Sequence, residues 1–332
     1  MDKIHLAVDA MGGDHAPGEI VAGALNGARD LGIKVSLVGD PTAIKAELEK
    51  ANPGDLLVDL IPASDVIHFN ENPVNAVRSK PEASINVACR LVADGLAHGA
   101  LTMGHTGAGL VSAKLHFGNI QGVDRPAPIV PLLDLRKDLY LIDVGANTEV
   151  KPQNLLQFAR MGAVYAQYAG GVKQPRIGLL SIGSEPNKGN KVGREAFSLL
   201  EAAEDISFSG NIEGHAMLDS DVNVLVCDGF VGNVLFKTIE GVLDSLLSQV
   251  EAILPKIPSL SSSLLKSHLD NLRTKNDYAA IGAAALLGLQ RPLFIGHGRS
   301  RAVAVRNGLA TAKHMITSNV LDVLRNRMEA YI

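Results

Sequence analysis

Cysteine is nearly absent from this 332-residue chain, and the two present, Cys89 and Cys227, fall in no C-x-x-C pair and no zinc-ligand spacing. A disulfide framework is excluded, and a reducing cytosol is the expected setting. Neither sign of charge dominates. Lys plus Arg total 31 against 35 Asp plus Glu, a net charge of −4, so no global field draws nucleic acid and an acidic ligand must be met locally. No apolar run is long enough to span a bilayer. The longest, Ala279 to Leu289, stops at Gln290 and Arg291, short of the ~20 residues required, which leaves surface contact with a membrane open. Asp2, Lys3 and His5 interrupt the first apolar run, so it reads as a strand and not as a signal peptide. Aromatic residues are scarce at 4%, yet 46% hydrophobic residues over this length are ample for a large core.

Common catalytic signatures are missing too. DAMGGDHAPG has the wrong glycine spacing for a dinucleotide fingerprint, GHTGAG reads G-x-x-G-x-G, and Gly183–Lys188 lacks the Walker pattern. There is no G-x-S-x-G elbow and no H-E-x-x-H.

What recurs is a short β-like run passing into glycine and polar residues. Ile4–Val8 enters DAMGGD, Val35–Val38 enters GD, Leu101–Met103 enters GHTGAG and Leu139–Ile142 enters DVGAN. Ile177–Ile182, Ile206–Phe208, Val222–Cys227 and Leu293–Ile295 repeat the rule, entering GSEPNKGN, SGNIEG, DGFVGN and GHG. Helical patterns intervene at Glu19–Leu31, Ser84–Leu96, Leu155–Ala169, Arg194–Ala203 and Val234–Ile253. This alternation predicts an α/β fold, three-layered α/β/α with a mainly parallel sheet, in which ligands bind beyond the strands' carboxyl ends. One domain over 1–332 is expected, as two lobes sharing the sheet. Leu243, Leu246, Val250, Ile253 and Ile257 follow 3-4-3-4 spacing before Pro255, Pro258 and a serine run, which predicts a projecting helical hairpin over 242–275. Its apolar stripe reads as a dimer seam or core face, or as a membrane-surface contact.

The glycine turns can bring backbone N–H groups close to an anion at Gly12-Gly13, Gly107-Ala108-Gly109 and Gly232-Asn233, while Lys188 and Lys237 supply positive charge. A compact oxyanion such as phosphate suits that inventory. Asp143 and Asp228 read as turn-fixing caps, whereas Asp9 and Asp14 are expected to orient His15 or Lys188. His105, between glycines, is a candidate ligand contact. Cys227 ends an apolar strand with no histidine motif beside it and reads as an inert buried thiol.

DAMGGD at Asp9–Asp14, DVGAN at Asp143–Asn147, GLLSIGSEPNKGN at Gly178–Asn190, SGNIEG at Ser209–Gly214 and CDGFVGN-x-x-x-K at Cys227–Lys237 resemble the bacterial phosphate acyltransferase family. Asn72-Pro73 with Arg78 and Lys80, Asp124-Arg125-Pro126 and GHG-x-S at Gly296–Ser300 extend the match in order over nearly the whole chain. The resemblance implies transfer of a fatty acyl group from acyl-(acyl carrier protein) to inorganic phosphate, giving acyl phosphate for phospholipid synthesis. It also implies a fold related to phosphotransacetylases and to isocitrate and isopropylmalate dehydrogenases, a cytoplasmic homodimer, no metal or nucleotide cofactor, and peripheral membrane attachment through the hairpin. Lys188 and Asn233 carry over as catalytic. Asp9, Gly12, Gly13, Asp14, His15, His105, Thr106, Gly107, Asn147, Glu185, Gly232 and Lys237 are the expected substrate-binding set.

Two departures stand out. His105 occupies a position where the family has a small amide, and Ala283 replaces a family glycine in Ile281–Gly288, which implies a different turn or a different wall of the acyl pocket. For docking of an acidic carrier the candidate cations are Lys256, Lys266, Arg273, Lys275, Arg325 and Arg327. The competing readings are a phosphotransacetylase acting on coenzyme A, an oxidoreductase of the related dehydrogenase fold, and a non-catalytic module binding membrane or carrier.

Overall fold

The computed structural model of the chain describes residues 3–132, 138–253, 259–276 and 278–330. In chain order the strands are β1 (His5–Asp9), β2 (Lys34–Gly39), β3 (Val58–Pro62), β4 (Gly99–Thr102), β5 (Ala127–Pro131), β6 (Tyr140–Ile142), β7 (Arg176–Ser181), β8 (Ser207–Glu213), β9 (Val224–Val226), β10 (Ala283–Leu287) and β11 (Leu293–Gly296). The helices are α1 (Gly18–Leu31), α2 (Pro41–Ala51), α3 (Pro73–Ser79), α4 (Ser84–Ala93), α5 (Thr106–Phe117), α6 (Pro152–Tyr168), α7 (Lys191–Glu201), α8 (Gly229–Ile253), α9 (Ser259–Asn276), α10 (Tyr278–Ile281), α11 (Ala302–Thr317) and α12 (Val320–Glu329).

All eleven strands form one sheet in the order β3-β2-β1-β4-β11-β10-β5-β6-β9-β7-β8. The outer parts are parallel, as the alternation of strand and helix predicts, with Leu6 opposite Val35 on one side and Gly99 on the other. The centre is antiparallel, where β10 pairs with both β11 and β5, and β5 pairs with β6. Consequently the two parallel halves run in nominally opposite directions. A sheet of this kind twists by about 20–25° per strand, so the steps from β1 to β9 add roughly 130° and turn the carboxyl ends of both halves toward one side.

Burial follows the pattern expected of a sheet covered on both faces: the main core joins Leu6, Val8, Leu37, Leu101 and Phe294 of the strands to Ile20, Phe158 and Leu309 from the flanking helices. α1 lies close on α11 because Gly23 and Gly27 present no Cβ to Val305 and Leu309.

α8 and α9 make the hairpin. Leu247 and Leu269, each 6% exposed, pack with Leu243 and Leu265 in a small cluster of their own. The predicted stripe therefore divides: Leu243 turns toward α9, while Leu246, Val250 and Ile253 stay exposed beside Val242. Pro255, Lys256, Ile257 and Pro258 lie outside the described residues. Among the described residues no helix is long and apolar enough to cross a membrane.

Candidate functional site

Two turns of the first half are tied together by one buried carboxylate. Asp9 ends β1, and its Oδ2 accepts the Thr102 hydroxyl from the end of β4 at 2.7 Å, while Met11 N donates to Oδ1 at 3.2 Å. Thr102 Oγ1 in turn accepts Gly104 N at 2.9 Å. Burial pushes the Asp9 carboxyl above its usual range, and these donors offset part of that shift. Gly12 has no room for a side chain, since a Cβ would stand 2.6 Å from Asp9 Oδ2 and 2.8 Å from Gly104 N. Asp14 N then donates to Gly298 O at 2.8 Å, joining the turn after β11.

The second half uses a different device. Asp143 follows β6 in the left-handed region, at φ 66°, and is fully buried. Its Oδ1 accepts Gly145 N at 3.2 Å and Ala146 N at 2.8 Å; its Oδ2 accepts Asn147 N at 3.1 Å and Asn147 Nδ2 at 2.9 Å. Burial again raises the carboxyl despite these donors. Asp228 caps α8 by accepting Val231 N at 2.9 Å. Both aspartates thus fix turns, as expected of them. Gly232 lets α8 start against the Asp143 carbonyl and the Cys227 sulfur. That thiol is buried and held far above its usual range by burial and by the neighbouring Asp143 and Asp228, which makes it inert.

One helical turn into α8, Asn233 Nδ2 donates to Val144 O at 2.8 Å and lies against Gly145, whose φ of 132° and lack of Cβ admit the amide. Asn233 and Gly145 face a cleft of about 560 Å³ that also takes in Asp14, Gly104 and Thr106 from the first half. Its floor is the antiparallel centre of the sheet, through Pro128, Val130, Ala284 and Leu286, with Phe236, Ile295 and Phe69 as further apolar walls. Its cations are Lys237 and Arg299. Lys237 Nζ lies 3.2 Å from His297 Nε2, and because an ammonium can only donate, the imidazole accepts there. Burial, together with Lys237 and Arg299, holds His297 below the usual histidine range and keeps it neutral near pH 7. The cleft therefore joins an apolar trough to a short polar stretch bearing amide, ammonium and guanidinium donors.

The sequence-predicted residues distribute as follows. Asp14, Thr106, Asn233 and Lys237 line the cleft. Asp9, Gly12 and His105 border a small recess beside it, where His105 stacks on Phe69 at 6.1 Å and its Nδ1 accepts Gly107 N at 3.1 Å as the cap of α5. Gly13, at φ 106°, shapes the turn after β1, and His15 stands half-buried past it. Asn147 is tied to Asp143 and to Pro126 O. Glu185 and Lys188 are exposed on the turn after β7, with Glu185 O accepting Lys188 N and Asn211 Nδ2. Lys188 is not among the residues lining the cleft, although β6, β9 and β7 are parallel neighbours whose carboxyl-end turns lie side by side. Sequence reasoning missed Phe69, Phe236, Glu240 and Arg299. A signal for two of them was present, since Asn233, Phe236, Lys237 and Glu240 recur at helical spacing on one face of α8.

A family model described as "Fatty acid synthesis protein" matches residues 4–323. A protein named phosphate acyltransferase from Nostoc punctiforme is 43% identical over 330 residues, covering 98% of this chain and 96% of that protein. Among solved structures, a phosphotransacetylase from Streptococcus pyogenes superposes with a TM-score of 0.61 at 15% identity over 94% of each chain. A branched-chain phosphotransacylase from Enterococcus faecalis gives 0.60 at 18% identity, over 94% of this chain and 99% of that one. The fold is that of the phosphotransacetylases, and the full-length likeness at 43% identity shows that the chain belongs to the phosphate acyltransferase family.

Proposed function

We propose that the chain moves a fatty acyl group from the thioester of an acyl carrier protein to inorganic phosphate, releasing acyl phosphate and the carrier thiol. The observation that carries this reading, beyond family membership, is the cleft itself: an apolar trough for an acyl chain ends at Asn233, the Gly145–Ala146 turn and the cations Lys237 and Arg299.

Phosphate is partly dianionic near neutral pH, and the leaving thiol has a pKa of about 8.5, so neither a strong base nor a strong acid is needed. Positioning and charge stabilisation carry the rate. A phosphate oxygen attacks the thioester carbonyl, the tetrahedral oxyanion forms, and its collapse breaks the carbon–sulfur bond with the electron pair leaving on sulfur. Asn233 uses one N–H on Val144 O, which orients the amide and leaves its second N–H for phosphate or the oxyanion. Lys237 and Arg299 supply charge inside the cleft. Lys188, on the adjoining turn, is assigned the role of a flexible cation that folds over the bound phosphate.

Asn233→Ala is expected to lower kcat by roughly 10²–10³-fold with the fold intact, as for loss of a single oxyanion donor. Acyl phosphate formation by purified protein, with circular dichroism as the folding control, tests it, and Lys188→Ala and Lys237→Ala rank the two cations in the same assay. Near-normal rates in all three would refute the assignment.

The exposed row Val242, Leu246, Val250 and Ile253 supports contact of the hairpin with a membrane surface or a second copy of the chain. Leu246→Ser with Ile253→Ser should abolish flotation with phospholipid vesicles or, for a dimer seam, halve the mass in solution; no change in either measurement removes this assignment.

A further inference from the structure

A second cleft, of about 550 Å³, adjoins the first and shares Leu110 and Ala146 with it. Its character is opposite. Lys114 from α5, Arg125 from the Asp124-Arg125-Pro126 motif and Lys151 at the start of α6 converge on it, and among the described residues that line it the one carboxylate is Asp124. Among the described residues none of the three cations has an ion-pair partner, whereas three of those first considered for docking are engaged. Arg273 pairs with Glu251 at 3.2 Å, Arg325 pairs with Asp322 at 2.8 Å, and Arg327 donates to Gln167 Oε1 at 3.1 Å. Asp124 is itself engaged, its Oδ2 facing Asn154 Nδ2 at 3.4 Å. The back of the cleft holds two buried amides, Asn147 and Asn154, fixed by their own hydrogen bonds. Three like charges converging on a cleft with a single carboxylate, itself engaged by Asn154, leave an excess of positive charge, and an anion seated among them relieves their repulsion.

We propose that Lys114, Arg125 and Lys151 form a second anion site that takes a phosphate-class group, on the far side of the Gly145–Ala146 turn from the apolar trough. Two sources share that chemistry: the phosphodiester of the thiol arm that carries the acyl group, and inorganic phosphate waiting to react. The identification of those sources rests on the acyl-transfer reading above; the anion site rests on the cations alone.

The test is calorimetric binding to the intact protein of three probes: inorganic phosphate, phosphopantetheine, and pantetheine without its phosphate. The variant is Lys114→Gln/Arg125→Gln/Lys151→Gln, with Arg125→Gln alone as the second variant should the triple one fold poorly. If the thiol-arm phosphate is the ligand, the affinity for phosphopantetheine falls at least about tenfold in the triple variant, while pantetheine binds as before. If inorganic phosphate is the ligand, its affinity falls by a similar factor with phosphopantetheine unchanged. In either case binding to the unsubstituted protein weakens with added salt. Affinities for both anions within twofold of the unsubstituted protein, or no binding of either anion to it, overturn the site. Absence of acyl phosphate formation by the unsubstituted protein overturns the acyl-transfer reading instead, and leaves the binding result standing.

Discussion

Asp9 and Asp143 end strands in opposite halves of the same sheet, both are buried, and burial raises the carboxyl of each. Their partners differ. Asp143 gathers N–H groups of its own turn, all within four residues, so it organises a local loop on which Asn233 then leans. Asp9 instead reaches a hydroxyl 93 residues away and couples two turns that only the sheet brings together. One carboxylate shapes a turn; the other joins turns. A cage of pure donors also tolerates less change than a hydroxyl, which can donate or accept.

That contrast can be broken most directly by swapping each carboxylate for its amide. In Asp143→Asn an NH₂ faces N–H donors whichever way the amide is turned, and the left-handed backbone is no confounder because asparagine adopts it readily. A loss of roughly 3 kcal/mol in stability is expected, together with loss of acyl transfer as the Gly145–Ala146 turn opens. In Asp9→Asn the Thr102 hydroxyl can reverse its role and accept, so the loss should be about 1 kcal/mol. Urea denaturation of both variants checks the ranking, and an equal cost would remove the distinction.

A finer comparison comes from pH. The folded carboxyl of Asp9 titrates above its unfolded value, so its contribution to stability is fully present below the unfolded pKa of about 3.9 and is lost as pH rises through the folded one. Asparagine has no such dependence. The difference in stability between the parent protein and Asp9→Asn should therefore be larger at pH 4 than at pH 7, by denaturation at the two values. A smaller difference at pH 4 would mean that the hydrogen bonds, not burial, govern this group.

Much of the outer sheet was legible because β-branched runs ending in glycine have a local cause. β1, β2, β4, β7 and β11 fall where Ile4–Val8, Val35–Val38, Leu101–Met103, Ile177–Ile182 and Leu293–Ile295 place them, within a residue or two. The antiparallel centre was not legible. β10 is Ala-Ala-Ala-Leu-Leu, whose composition favours helix, and β5 carries prolines at Pro128 and Pro131. They become strands because β11 and β6 offer backbone partners on either side, a preference that outweighs propensity. The short side chains of β10 also leave the space above them that becomes the floor of the cleft. Of the expected site, Lys237 and the Gly232-Asn233 turn could be named from charge and glycine spacing, and Thr106 and the catalytic role of Asn233 from the family resemblance, whereas Phe69 and Arg299 enter only through packing across the cleft.

The order of strands and helices, the glycine turns at the strand ends and the caps that Asp143 and Asp228 provide were determined by the chain itself, since each depends on residues within a few positions of one another. Which turns share a cleft, which cations stand inside it and which are left on its rim were decided only by the tertiary structure. A twisted sheet with an antiparallel centre brings together carboxyl ends that lie more than a hundred residues apart, and no local pattern encodes that distance.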